Sequence, residues 1–407
     1  MSEVVNLLKR LVTINSEVYV KNNVIKRVNY DKIAELIESE AKKRGLYVEK
    51  INLNVRDGII PTLLISTESS IKADVALVCH YDVVPARGPW IIEGKKVDPY
   101  TPLEIDGKVY GRGAADDKSA IASGIIALEE LIKEERKLRY EPVLVVTGDE
   151  EVGGNGIRAL LDEGYRWDRA IILDASVEYI GVGASGVIHA WIKVKGKGGH
   201  AGYAHQCINP VEALIKLLNN FLADYKSIRY SKISKYNSPP SSPIPKVWGR
   251  VSATIIKLGE NEPEKHNIIP NEAIAGLDIR LIPEEDLDNA LNELYKCFNK
   301  WVSILGINAE LTIVSAQRGW YTKDEKLIKD AENALGRAIS KLGWKQSVKV
   351  AAELGGNDGT YFFLKGIPVI AYGAIRSDNN IHTRNEFVYV RDLILLKEFI
   401  KEFLIKS

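Results

Sequence analysis

Val75-Ala-Leu-Val-Cys79 is an unbroken apolar run that ends abruptly in His80-Tyr81-Asp82, an imidazole and a carboxylate. The same change of character recurs twice. Val143-Leu-Val-Val-Thr147 runs into Gly148-Asp149-Glu150-Glu151, and Ile171-Ile-Leu173 ends in Asp174. Short continuous apolar runs read as strands buried on both faces, as in parallel sheets. Helical periodicity separates them, over residues 31–44, where Gly45 stops the pattern, and over residues 119–133. Further strand-like runs lie at 62–66 and 369–372. The predicted class is α/β, a largely parallel sheet flanked by helices.

The middle of the chain follows a different order. Residues 187–194 alternate apolar and polar, 210–223 are helical, 251–258 and 273–281 are strand-like, 284–305 are helical and 309–314 form a last strand. That β-α-β-β-α-β order predicts a ferredoxin-like α+β domain. The segments on either side resemble each other in pattern, so the small domain, residues 185–316, is expected as an insertion. The larger domain then comprises 1–184 and 317–407. Residues 226–246 are rich in Ser and Pro and predict a long surface loop.

Composition narrows the function. Of 407 residues, 55 are Lys or Arg and 54 are Asp or Glu, a net charge of +1. So balanced a chain has no positive field to gather phosphates, which argues against a nucleic-acid partner. Cys79, Cys207 and Cys297 follow no metal or redox spacing, which suits a reducing cytoplasm. The opening MSEVVNLLKRLVTI reads as an amphipathic helix, not a secretion signal, and no run is long enough to span a membrane.

The polar residues at the strand ends carry the functional reading. In open α/β sheets, ligands bind beyond the carboxyl ends of the strands. His80, Glu151 and Asp174 would gather there. So would Asp116, in Gly111-Arg-Gly-Ala-Ala-Asp116-Asp117 before a helix, and His382, shortly after 369–372. Each has an ordinary explanation alone, such as a solvated acidic pair or a charged helix start. Together they form the imidazole–carboxylate mixture that suits Zn²⁺ or related divalent ions. A two-ion site needs a shared carboxylate, and Asp116 sits centrally in the set. Asp82 would orient the His80 ring, and Glu150, adjacent to a ligand but pointing elsewhere, would act as general base.

These motifs, His80-x-Asp82, Gly111 to Lys118, Asp149-Glu-Glu-x-Gly153 and His382-Thr-x-Asn385-Glu386, resemble those of the zinc-dependent aminoacylase family. Acetylornithine deacetylase, succinyl-diaminopimelate desuccinylase, bacterial glutamate carboxypeptidase and carnosinase-like dipeptidases belong to it. The resemblance implies a zinc-peptidase-like catalytic domain with an inserted lid and dimerisation domain. It implies His80 and Asp174 on one ion, Glu151 and His382 on the other, Asp116 bridging, and a cis Asp116–Asp117 bond. Two ions, Zn²⁺ or Co²⁺, are the implied cofactors. Gly199-His200-Ala-Gly resembles the lid motif, whose histidine stabilises an oxyanion, often across a homodimer interface. Asn267, Arg280 and the Gly355-Gly356 loop resemble substrate-binding segments. The chain departs from the compact desuccinylases at Ala204, at Gly186-Val187 and in its long 230–248 segment.

The expected activity is hydrolysis of an amide bond in a small carboxylate-bearing substrate, with N-acyl amino acid deacylation favoured over dipeptidase or carboxypeptidase action. Gly181-Val-Gly183-Ala-Ser-Gly186 also satisfies G-x-G-x-x-G, the dinucleotide fingerprint of an NAD-dependent oxidoreductase. That motif needs a helix after it to hold the pyrophosphate, and a strand-like run follows here. The segment reads instead as a hinge between domains. A two-metal phosphoesterase would want more Arg or Lys near the ions, and a catalytically dead relative would have lost Glu150 or a ligand.

Overall fold

In the computed structural model, which describes residues 2–21, 24–68 and 73–406, the strand Val75–His80 is buried at every position. Pro142–Thr147 pairs parallel on one side of it and Arg169–Ile172 parallel on the other. Val369–Ala371 continues the parallel core beyond Arg169–Ile172. Antiparallel strands then finish both flanks, Gly58–Ser66 and Tyr47–Val55 on one and Ile180–Ala184 on the other. The sheet is therefore mixed, with its parallel strands central. Helix Lys118–Lys133 is almost wholly buried, and Gly124 packs it closely on the sheet: a Cβ there would lie 2.8 Å from a Leu144 methyl. A larger residue there would force the Leu144 side chain to shift within a close-packed core.

The chain divides into two compact units. The first comprises Met1–Val182, Thr322–Ala351 and Asn357–Ser407; the second comprises Gly183–Tyr321 and Ala352–Gly356. The sequence reading placed the insertion at 185–316, and the difference lies in strand pairing. Gly183 and Ala184 pair with Tyr321 and Trp320, so both segments cluster with the second unit. Residues 181–186, read as a hinge, prove to be mostly the buried strand Ile180–Ala184. The glycines serve close packing: a Cβ on Gly183 would meet the Trp320 carbonyl at 2.9 Å, and one on Gly186 the Gln317 carbonyl at 2.7 Å. A second strand, Gly186–Lys195, follows directly, so the dinucleotide fingerprint lacks the helix N-terminus that it requires.

The second unit holds a four-stranded antiparallel sheet in the order Arg250–Leu258, Glu272–Leu281, Gly186–Lys195, Ala309–Gln317. Helices Pro210–Tyr230 and Leu287–Leu305 cover one face through Leu217, Phe221, Leu294 and Phe298. This is the ferredoxin-like order. Asn209 caps the first helix by accepting the Val211 N–H at 3.0 Å, with Pro210 at the first helical position. The predicted loop at 226–246 is corrected here. The helix runs on to Tyr230, and two short paired strands follow, Ile233–Asn237 and Lys246–Trp248. Buried Arg229 draws that last turn inward by donating to both Glu285 oxygens at 2.7 Å.

Candidate metal centre

His80 is the last residue of its strand, so its ring leaves the sheet at the carboxyl end. Nδ1–H donates to the Asp82 carbonyl at 3.0 Å, which turns Nε2 toward Asp116 Oδ1 at 3.1 Å and Asp174 Oδ2 at 3.9 Å. Fixing one ring nitrogen in this way sets the tautomer a metal ligand needs. The Asp82 side chain has a second role that the sequence reading missed. Its two oxygens accept the backbone N–H groups of Glu150, at 3.3 Å, and Glu151, at 3.2 Å. One residue thus fixes a ligand ring and the turn that carries the proposed base.

Asp116 precedes helix Lys118–Lys133, joined to Asp117 by a cis peptide bond. Its oxygens face opposite partners. Oδ1 faces His80, and Oδ2 lies 3.0 Å from His382 Nε2, which is also 3.1 Å from Glu151 Oε2. Two donor groups result, His80–Asp116–Asp174 and Asp116–Glu151–His382, each with ligand atoms within 4.8 Å of one another. Donors about 2.1 Å from a tetrahedral ion stand roughly 3.4 Å apart. The observed separations of 3.0 to 3.9 Å bracket that value, so the residues fit a pair of divalent ions.

The electrostatics agree. Burial would push the Asp116 carboxyl up, but hydrogen bonds with His382 and His80 hold it below the ordinary range. Hydrogen bonds to Asp116 and Glu151 raise His382 to about 11. Burial, and then Asp116, push Glu151 up to about 7. Glu150 is raised further, first by burial and then by Asp358 and Asp174. So many carboxylates in one water-poor region repel each other, and bound cations would remove that repulsion. Asp358, absent from the sequence reading, belongs to this group, with burial raising it to about 7. Its signal was the acid in Gly355-Gly-Asn-Asp358, read only for its glycines.

The remaining predicted residues lie in the second unit. Arg280 gives Nε and Nη2 to the two oxygens of Asp278, both at 2.9 Å, and Nη1 has no partner among the described residues. His189 links Asp278, at 3.1 Å, to Ser315, at 3.0 Å. Exposed His200 accepts the Gly202 N–H at Nδ1, and the neighbouring Asn267 carbonyl accepts the Ala201 N–H at 2.9 Å. Gly355 and Gly356 cluster with this unit too; a Cβ on Gly355 would meet nothing within 4 Å, and one on Gly356 would stand 3.2 Å from the Ser185 carbonyl. No helix among the described residues is long and apolar enough to cross a membrane.

A mixed α/β sheet with imidazole–carboxylate donors at its strand ends is the build of a metal-dependent enzyme, and the family match makes it a hydrolase of amide or peptide bonds. The chain belongs to peptidase family M20/M25/M40, whose model matches residues 76–406. Among curated proteins it is 27% identical over 335 residues to succinyl-diaminopimelate desuccinylase of Pelagibacter ubique, covering 80% of each chain. Among solved structures it is similar to an M20 family metallo-carboxypeptidase from Sulfolobus solfataricus, with TM-score 0.77, 17% identity and 99% and 98% of the two chains covered. Human carnosine dipeptidase 1 has TM-score 0.76 at 19% identity, with 98% and 96% covered. These two structures share the fold.

Proposed function

We propose that the protein removes the acyl group from a small N-acyl amino acid bearing a free carboxylate, with two divalent ions, Zn²⁺ or Co²⁺, as cofactors. The observation that carries this reading is the division of Asp116 between His80 and His382. His80 and Asp174 would hold one ion, Glu151 and His382 the other, with Asp116 shared. Ions bound there would lower the pKa of a water molecule and polarise the scissile carbonyl. Glu150 takes the water proton and passes it to the departing amine. Asp82 keeps the Glu150 turn and the His80 ring in register. Arg280 receives the substrate carboxylate through its open edge, supported by Asn267 and the Gly355-Gly356 segment. His200 stabilises the oxyanion, acting from the partner of a cytoplasmic homodimer formed through the inserted unit.

The desuccinylase likeness supports deacylation. A second reading, dipeptide or carboxypeptide cleavage, draws on the names of the carboxypeptidase and dipeptidase relatives. A panel of N-acetyl and N-succinyl amino acids, dipeptides and a phosphate ester decides the matter, run after chelation and again with Zn²⁺ or Co²⁺. Metal-restored cleavage of an acyl amino acid is expected. Preferential dipeptide cleavage would favour the second reading, and turnover of the ester alone would overturn both.

A further inference from the structure

His382 is a ligand candidate that packing does not hold. Its side chain is 53% exposed. Its φ is +59°, and Asn380 and Asn385 nearby also have positive φ. Asn and His are the non-glycine residues that take left-handed backbone most readily, so the turn itself is ordinary. A half-exposed ring on such a loop is held in place by contacts made to the loop from elsewhere.

Buried Arg112 and Glu386, each close to a ligand in sequence, supply the constraint. Glu386 Oε1 accepts the N–H groups of Ala115, at 3.0 Å, and Asp116, at 3.1 Å. Its Oε2 accepts the Gly113 N–H at 3.1 Å and Arg112 Nη1 at 2.5 Å. Arg112 Nη2 then donates to the Thr383 carbonyl at 2.8 Å, one residue from His382. The Gly111 N–H donates to the Glu386 carbonyl at 2.9 Å, closing the clasp from the backbone side. One fully desolvated carboxylate thus grips the loop of Asp116, while the guanidinium grips the loop of His382.

We propose that Arg112 and Glu386 are positioning residues that hold His382 against Asp116 and so select for occupancy of the Asp116–Glu151–His382 ion position. The inference rests on the two-ion reading given above. The hydrogen bonds of the clasp join the loop of Asp116 to that of His382, so the other ion position depends on it through Asp116. Charge-assisted bonds in a dry site are strong and geometrically demanding, and partners behind a ligand commonly change metal affinity 10- to 100-fold.

The test is metal titration of the apoprotein, by calorimetry with Zn²⁺ and by visible absorption with Co²⁺. Wild type should bind two ions. Arg112→Lys keeps the charge beside Glu386 but cannot also reach Thr383, and Glu386→Gln provides a second variant should that one fold poorly. Each should bind one ion with near wild-type affinity and the other about 10- to 100-fold more weakly. Their kcat should recover in excess Zn²⁺ while KM stays unchanged. Phe221→Leu, in the core of the second unit, controls for simple destabilisation and should lower thermal stability without separating the two affinities. Variants that bind both ions like wild type, or lose both equally, would overturn the clasp alone. Fewer than two ions in wild type would overturn the two-ion reading, and the clasp with it.

Discussion

Asp116 Oδ2 and His382 Nε2 lie 3.0 Å apart, although one precedes a helix early in the chain and the other sits in a loop near its end. Glu151 closes the same triangle from a third segment, 3.1 Å from that nitrogen. Bound cations would neutralise these acids together with the neighbouring Asp174 and Glu150.

Glu150→Gln should lower kcat by at least ~10²-fold, the usual contribution of a general acid–base group. Metal content should stay at the wild-type level. His382→Ala should lose both activity and one ion. Elemental analysis beside steady-state kinetics separates the two effects, and near-normal turnover of a fully loaded Glu150→Gln enzyme would dismiss Glu150 as the base.

Arg280→Ala should raise KM for substrates with a free carboxylate and leave amidated analogues almost unaffected. It should also release Asp278. Burial favours the neutral carboxyl there, but hydrogen bonds from His189 and Arg280 outweigh it and hold the pKa at about 2. That value lies below the ordinary ~3.9. The stability it contributes is therefore present above about pH 4 and lost as pH falls through 2. NMR titration of the variant should place the Asp278 pKa nearer its ordinary value, and acid unfolding should lose part of its steepness in that window. Equal kinetic losses on both substrate types would make Arg280 structural.

Mixing the inactive His200→Ala and Glu150→Ala dimers under subunit exchange should restore roughly one quarter of wild-type activity. Half of the dimers are then hybrids, each with one complete site of two. The His200→Ala subunit retains Glu150 and receives His200 from its partner. Exchange verified by mass spectrometry without recovered activity would place His200 in its own chain's site.

Arg229→Met should destabilise the second unit by ~3–5 kcal/mol, because Glu285 would be left as an unpaired buried charge. Arg229 itself is 0% exposed. Replacing both residues by apolar side chains should recover much of that loss. Urea unfolding followed by circular dichroism and intrinsic fluorescence reads this loss, and a value below about 1 kcal/mol would mean that water reaches the pair.

Much of the fold was legible because burial leaves a pattern. Strands covered on both faces must be apolar throughout, so Val75–His80 and Pro142–Thr147 announced themselves. Tyr47–Val55 did not, since that outermost strand carries Glu49, Lys50, Asn52 and Asn54 and reads as polar chain. Ile180–Ala184 was hidden by glycines that serve close packing yet read as flexibility.

The division at the candidate site is similar. The sequence by itself determined which groups could bind metal, because acids and histidines directly after buried strands are brought to one edge of the sheet. It also determined the ferredoxin-like insert, through periodicity alone. Only the tertiary structure decided which oxygen of Asp116 faces which histidine, and that Asp82 caps the Glu150 turn. The same holds for the pairing of Arg112 with Glu386, 274 residues away. Local patterns record burial, which each residue experiences on its own. Hydrogen-bonded pairs distant in the chain leave no periodic trace, because their partners meet only when the sheet is complete.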